Sequence, residues 1–201
     1  MVMHVGFRAA SRVAAFAGSV VLLGCMPPSP EQVENRKLQS LRSSIITEFA
    51  MNTDDAHASY IRLLDSSERD IETLGAKAVI CGQLRLREFP IDRRCKTILE
   101  QAVQSERVAL RAIGVSAHAF FLDEAAQEVL FDGLSDRSEK VRHEAVMALE
   151  FQFDTLTADP NDPTAGRRLR ERLVRICPAI RSGGSLYSDL CRKAESPDEL
   201  R

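Results

Sequence analysis

The cysteines are the residues of this chain whose types and spacing point most directly to chemistry. Four of them form two sequential pairs, Cys81 with Cys95 and Cys177 with Cys191, each with a separation of 14 residues. Zinc is a poor fit, because the sequence has no Cys-x-x-Cys motif and no histidine at ligand spacing from a cysteine. Disulfide bonds fit better, provided that the chain reaches an oxidising compartment.

The fifth cysteine, Cys25, lies at the end of an apolar segment near the start of the chain. Arg8 and Arg12 precede this segment, and no acidic residue occurs before Glu31. A membrane-spanning helix needs about 20 apolar residues, so the shorter run at 13–23 suits the core of a signal peptide better. The sequence therefore predicts export; an ordinary secretory signal and a buried N-terminal helix are the alternatives to a lipid-attachment signal.

Residues 22–25, Leu-Leu-Gly-Cys, resemble the lipobox of bacterial lipoproteins. In that family the cysteine thiol receives a diacylglyceryl group, signal peptidase II cleaves just before it, and the new amino terminus is acylated. The resemblance implies that residues 1–24 are removed and that Cys25 anchors the chain, since two or three acyl chains attach a protein stably to a membrane. Met26 follows the cysteine, which favours the periplasmic side of the outer membrane over the inner membrane. The proline-rich residues 25–30 are expected to form a short, stiff tether.

Export would place the remaining four cysteines in an oxidising compartment. Each pair flanks a predicted turn, one at Pro90 and the other at the Gly-Gly of 183–184. Residues at similar distances from the turn of an antiparallel helix pair can approach to the Cα separation of about 5.5 Å that a disulfide needs. We therefore predict the disulfides Cys81–Cys95 and Cys177–Cys191. Four buried free thiols are the alternative.

The sequence contains no complete catalytic motif that we recognise. His143-Glu144 begins like the His-Glu-x-x-His motif of zinc proteases, but Met147 stands where the second histidine is required. The segment 114–118 lacks the second glycine of a nucleophile elbow, and no phosphate-binding glycine loop is present. We expect a protein that is not an enzyme and that has no cofactor, metal or small-molecule substrate.

The composition predicts one domain and no nucleic-acid partner. The chain has 201 residues and a net charge of −2. Removal of residues 1–24 would leave a length that can bury a sizeable core. Tryptophan is absent and there are only 2 tyrosines, so aromatic platforms for stacking bases are not expected.

The chain after the tether has the periodicity of helices. Ser29-Pro30 has the form of a helix start, with a capping hydroxyl followed by proline at the first helical position. Apolar residues follow at helical spacing, at Leu38, Ile45 and Phe49 among others. We predict an amphipathic capping helix at 31–52.

Residues 134–149 resemble a HEAT repeat, with a Leu-x-Asp turn, a Val-Arg pair and an Ala-Val-x-Ala-Leu helix. Asp136 and Arg142 match the aspartate and arginine that lock neighbouring repeats in that family. Weaker copies of the small-and-branched pattern occur 33 residues earlier and a further 34 residues before that. The resemblance implies an all-α fold, a short α-solenoid of HEAT-like helix pairs over 53–152 with a second capping segment, basic and helical, at 163–195.

HEAT arrays generally bind other proteins, and the second helix of each pair (the B helix) commonly lines the concave face. If the B helices of this chain bind a partner in the same way, helical phase places eight residues on the binding face. The predicted protein-binding residues are Thr73, Lys77, Arg107, Arg111, Lys140, His143, Glu144 and Met147.

The segment 166–193 is strongly basic, with eight arginines and lysines against two acidic residues. Arg168, Arg172 and Arg175 share one helical face. One interpretation is a solvated surface opposite apolar residues such as Leu169. The other is a basic surface for an acidic partner or for anionic lipid headgroups beside the anchor.

These features predict a lipid-anchored protein of the cell envelope that acts as a non-catalytic, HEAT-like scaffold or adaptor for another protein. A structural subunit of an envelope assembly is the first alternative. A HEAT-like enzyme, such as a lyase, is less favoured because the known examples act on cytoplasmic substrates.

Overall fold

The computed structural model describes residues 27–51, 53–67 and 70–196, without the side chains of 53–56, and every regular element in these ranges is helical. The all-α prediction is therefore confirmed. The predicted leader at 1–24 and Cys25 lie outside the described residues. The α-helices are α1 Pro30–Met51, α2 Thr53–Asp65, α3 Ile71–Leu86, α4 Arg94–Val103, α5 Val108–Ala117, α6 Glu124–Gly133, α7 Glu139–Ala158, α8 Pro163–Ile180 and α9 Ser185–Glu195. Single 3-10 turns, His118–Phe120 and Arg181–Gly183, follow α5 and α8.

Short polar side chains start several of these helices. Ser29 and Gln32 form a reciprocal capping box, in which each backbone N–H donates to the side chain of the other residue at 2.9–3.2 Å. Asp123 accepts from the backbone N–H of Ala126 at 2.9 Å and so caps α6. Asp162 caps α8 in the same way, directly before Pro163. The helix start predicted at Pro30 is confirmed, and α8 begins at Pro163, where the predicted helical segment 163–195 also begins.

Helices α3, α5 and α7 pack side by side as an inner layer, and α2, α4 and α6 each precede one of them. Arg111 near the start of α5 binds Asp136 just before α7. Gln152, late in α7, donates to the backbone oxygens of His118 and Phe121, which follow α5. The inner helices α5 and α7 therefore run in the same direction. Stacked helix pairs are expected to pack on their neighbours in this order. Helix α7 continues to Ala158, beyond residue 152, where the repeat region was predicted to end.

The N-terminal helix was predicted to cover the first end of the array, and it also lies over the inner layer. Leu38 packs so closely on α3 that a Cβ added at Gly75 would be 2.6 Å from its Cδ2 atom. Arg42 reaches further, to the hydroxyl of Ser116 on α5 at 2.7 Å and to Glu144 on α7 at 3.1 Å. As a result α3 is buried without interruption from Gly75 to Leu84. A helix that is apolar on every side needs neighbours on every side, and α1 supplies one of them.

Both predicted cysteine pairs lie at disulfide distance. The sulfur atoms of Cys81 and Cys95 are 2.10 Å apart and join α3 to α4. Those of Cys177 and Cys191 are 2.23 Å apart and join α8 to α9. In both pairs the Cα atoms are 5.5 Å apart, and all four residues are buried.

The helices α8 and α9 form a hairpin that packs on α7, in the region predicted as the basic cap. Gly166 allows α8 to approach α7, because an added Cβ would lie 2.9 Å from the backbone oxygen of Leu156. Gly184 has a φ of +121° in the turn before α9, a conformation that a residue with a side chain rarely adopts.

Candidate protein-binding surface

Two of the predicted binding residues, Lys77 and Arg111, are buried, with 6% and 7% of their surface exposed. Lys77 donates to the backbone oxygen of Ser66, in the turn before its own helix. Arg111 donates to the carboxylate of Asp136 and to backbone oxygens of the preceding turn. The expectation that both side chains are exposed contacts is wrong. Helical phase identified a face of each helix, but it could not show that a neighbouring turn closes over that face.

Thr73 and Arg107 lie where inner helices begin. The Thr73 hydroxyl donates to Asp70 at 2.6 Å, within the cap of α3. Arg107 is exposed and its Nη1 atom lies 3.8 Å from a carboxylate oxygen of Glu34 on α1. Arg107 is therefore next to the start of α1, and the contact of Thr73 and Arg107 with a partner stays a prediction.

The remaining predicted residues lie on α7. Lys140 is half-buried and His143 is exposed. Glu144 accepts from both terminal nitrogens of Arg42, at 3.1 and 3.4 Å, so its carboxylate is engaged within the molecule. Met147 is a large apolar side chain that is nevertheless 46% exposed.

The exposed face of α7 continues past Met147 to Phe151, which is 38% exposed. The two residues are four apart and therefore lie on the same side of the helix. The sequence interpretation missed Phe151, although its spacing of eight residues from His143 was a usable signal. His143, Met147 and Phe151 thus follow one another along one face.

This apolar strip extends from α7 toward α1. The ring of Phe120 meets that of Phe151 edge-on, with centroids 5.4 Å apart. Phe120 lines a small cavity of about 40 Å³ together with Ile46 of α1, which is itself 38% exposed. We call the surface formed by Ile46, Phe120, His143, Met147 and Phe151 the B-face patch.

A buried amide, Gln83, lines the same small cavity between α1 and α5. Its Oε1 atom has no hydrogen-bond partner among the described residues. An unsatisfied buried carbonyl oxygen costs about 1–3 kcal/mol. The B-face patch therefore borders a polar atom that a donor entering the cavity would satisfy.

The predicted basic surface is divided by the structure. Arg172 pairs with Glu128 of α6 at 2.9 Å and its guanidinium lies 4.1 Å from the centre of the Phe131 ring. Arg168 and Arg175 are exposed. Of the three arginines predicted to form this surface, Arg168 and Arg175 present their charge openly.

The described residues contain no group of three His, Cys, Asp or Glu side chains placed to hold a metal ion. Within the same residues, no helix has the length and apolar character needed to cross a bilayer.

Comparisons of this chain with models of protein families, with curated proteins and with solved structures gave no match. Its function must be argued from its own residues.

Proposed function

We propose that this protein is a lipid-anchored scaffold of the bacterial cell envelope that binds another protein through the B-face patch. The observation that carries the proposal is the set of large apolar side chains, Ile46, Met147 and Phe151, exposed together on packed helices. Contiguous apolar surface of this kind marks binding sites more often than isolated exposed residues do. Because these side chains are 38–46% exposed, burial of the remaining surface of one of them by a partner would contribute about 1 kcal/mol.

The composition of the B-face patch suits recognition of a protein. Methionine and aromatic side chains are enriched in the buried centres of protein interfaces. Around them the patch has polar neighbours, His143 and the Arg42–Glu144 ion pair, which provide an edge that can remain in contact with water. We infer that Met147 and Phe151 are the central contacts and that Glu144 helps to hold α1 beside them.

The anchor side of the proposal rests on the lipobox-like residues 22–25. Helix α1 begins at Pro30, so the five residues from Cys25 would span roughly 15 Å in an extended proline-rich conformation. Lys37 on α1 pairs with Glu72 at the start of α3, at 3.1 Å, so the two helices start at the same end of the molecule. The turns before the inner helices would then face the membrane, and the B-face patch would extend away from it. Met26 favours the periplasmic side of the outer membrane.

This orientation would determine how far the basic surface of α8 lies from the membrane. Gly166 at the start of α8 packs against Leu156, near the end of α7. Helix α7 has 20 residues, so its two ends are roughly 30 Å apart. Arg168 would thus lie far from the anchored end, which favours an acidic protein over lipid headgroups as its partner.

The anchor is tested by labelling cells with a fatty-acid probe. We expect label on the wild-type chain in the membrane fraction, and neither label nor membrane attachment for Cys25→Ala. A wild-type chain that carries no label, or that keeps residues 1–24, would contradict the anchor.

The B-face patch is tested with a photoreactive amino acid at Met147 in intact cells, followed by mass spectrometry. Val174 of α8 provides a control, because it is also apolar and is 40% exposed. We expect Met147 to crosslink to one protein that Val174 does not reach, and Phe151→Glu to abolish that crosslink. Equal crosslinking from both positions would overturn the assignment of the patch.

A further inference from the structure

The outer helices α4 and α6 stand apart and leave a groove of about 790 Å³ between them. In the described part of the chain they make no extended contact with each other, although α4 packs on α5 and α6 packs on α7. His118 and Phe121, at the two ends of the short segment that follows α5, line this opening. The groove is on the opposite layer from the B-face patch.

The base and walls of the groove are mainly apolar. Leu99 of α4 and Ala126 of α6 are buried at its base, and Phe121 and Val129 are half-buried beside them. Ile91, in the loop before α4, is exposed at one end. An open apolar surface between two helices has the shape that a third helix can fill.

The His118 side chain also lines the groove. Its Nδ1 atom lies 2.8 Å from the backbone oxygen of Gly114, which can only accept, so Nδ1 carries the hydrogen. Burial lowers the pKa of His118, which keeps the ring neutral at pH 7. The other ring nitrogen, Nε2, is then a hydrogen-bond acceptor.

The two edges of the groove differ in charge. On the α4 side, Arg93 and Lys96 are exposed near the start of the helix, but Glu100 is exposed further along it and Asp92 pairs with Arg94. On the α6 side, Asp123 and Glu124 are exposed and both are acidic. A polyanion such as a nucleic acid or an acidic membrane surface would be attracted at Arg93 and Lys96 and repelled along the rest of the groove.

We propose that this groove, the α4–α6 groove, binds an amphipathic α-helix of a partner protein. The apolar stripe of that helix lies along Leu99, Phe121 and Val129. Acidic residues on one flank of the stripe meet Arg93 and Lys96, and basic residues on the other flank meet Asp123 and Glu124. The proposal depends neither on the B-face patch nor on the lipid anchor.

The first test is photocrosslinking from Val129 in intact cells, with Val174 again as the exposed control. We expect Val129 to yield a peptide that is at least about tenfold enriched over Val174, a difference of about 1.4 kcal/mol in apparent binding. The crosslinked peptide should have apolar residues at a spacing of three and four, with acidic residues on one flank and basic residues on the other. Crosslinking to lipid, to a second copy of this chain, to a segment without that pattern, or no enrichment would overturn the proposal.

The second test measures the identified segment as a synthetic peptide, by fluorescence anisotropy with the purified, disulfide-bonded protein. The double variant Arg93→Glu and Lys96→Glu should weaken its binding about tenfold, because two attractive contacts become repulsive. A peptide in which the acidic flank is changed to lysine should recover most of the loss with this variant. Equal affinity of the wild type and the double variant, or no recovery, would contradict the charge pairing.

Circular dichroism establishes that the charge variants keep the helical fold. Crosslinking at Met147 is recorded in the same cells. In cells that carry the chain with its native charges, absence of a Val129 crosslink beside an intact Met147 crosslink would reject the α4–α6 groove alone, and the reverse result would reject the B-face patch alone.

Discussion

Arg111 of α5 binds both carboxylate oxygens of Asp136, through Nε at 2.9 Å and Nη2 at 3.1 Å. Arg111 also donates to the backbone oxygen of Ser105 at 2.9 Å, and Asp136 accepts from the backbone N–H of Ser138 at 2.7 Å. Both side chains are largely buried. One ion pair therefore holds together the turns that precede α5 and α7.

Replacement of Asp136 by alanine should lower the free energy of unfolding by about 3 kcal/mol or more, because it leaves the Arg111 charge buried without its partner. Urea denaturation measures the change. The exposed ion pair between Glu106 and Arg137 provides the control, since it joins the same two turns at 3.2 Å. We expect Glu106→Ala to have little effect, because solvated ion pairs contribute little to stability. Similar losses in the two variants would show that the buried pair has no special role.

The loop before α4 should make stability sensitive to acid. Hydrogen bonds from Arg94 lower the pKa of Asp92 from 3.8 to about 2 in the folded protein. Its contribution to stability is fully present above the pKa of the unfolded chain and is lost as the pH falls from about 4 toward 2. We expect the stability of the wild type to fall more steeply in this range than that of Asp92→Asn, in urea denaturation at a series of pH values. Parallel curves would contradict the linkage.

Removal of either disulfide should destabilise the fold by a similar amount. Each bond closes a loop with a sequence separation of 14, for which the loss of unfolded-state entropy is worth about 3 kcal/mol. The double variants Cys81→Ala/Cys95→Ala and Cys177→Ala/Cys191→Ala test the two bonds separately by thermal unfolding. Alkylation of the denatured, unreduced protein provides the chemical check. Four alkylated thiols in the wild-type protein would show that the pairs are not bonded.

Gly166 sets the distance between α7 and α8. A Cβ at this position would lie 2.9 Å from the Leu156 oxygen and 3.1 Å from the Thr157 Cα atom, and backbone atoms cannot rotate away. We expect Gly166→Ala to destabilise the protein by roughly 1–3 kcal/mol, the usual cost of overpacking, partly offset by the better helix propensity of alanine. Arg167→Ala, on the exposed side of the same turn, should change stability little. A more stable Gly166→Ala variant would contradict the close approach of the two helices.

Short-range patterns in the sequence were enough to predict the helices and their starts. Ser29 with Gln32, and Asp162 before Pro163, satisfy backbone groups only a few residues away, so their effect does not depend on the rest of the chain. The cysteine pairs were predicted for a related reason. Each pair brackets one turn of a helical hairpin, and the length of that hairpin fixes which residues meet.

Long-range packing could not be predicted in the same way. Arg111 lies on the helix face that phase assigns to it, but Asp136, from the turn before α7, binds its guanidinium. Lys77 is likewise enclosed, by the turn before α3. Phe151 belongs to the B-face patch because the ring of Phe120 lies beside it and Ile46 lies beside Phe120, and neither is near Phe151 in sequence. The α4–α6 groove likewise exists only because two separate helices fail to meet.

The sequence by itself determined which segments are helices, where several of them begin and which cysteines pair, because these depend on hydrogen bonds and chain lengths within about fifteen residues. The tertiary structure alone decided that α1 lies across α3 and reaches α7 through Arg42, and hence which apolar side chains stay exposed. The position of α1 depends on the fit between surfaces that are far apart in the chain. In such a fit, one small residue such as Gly75 decides how closely two helices approach.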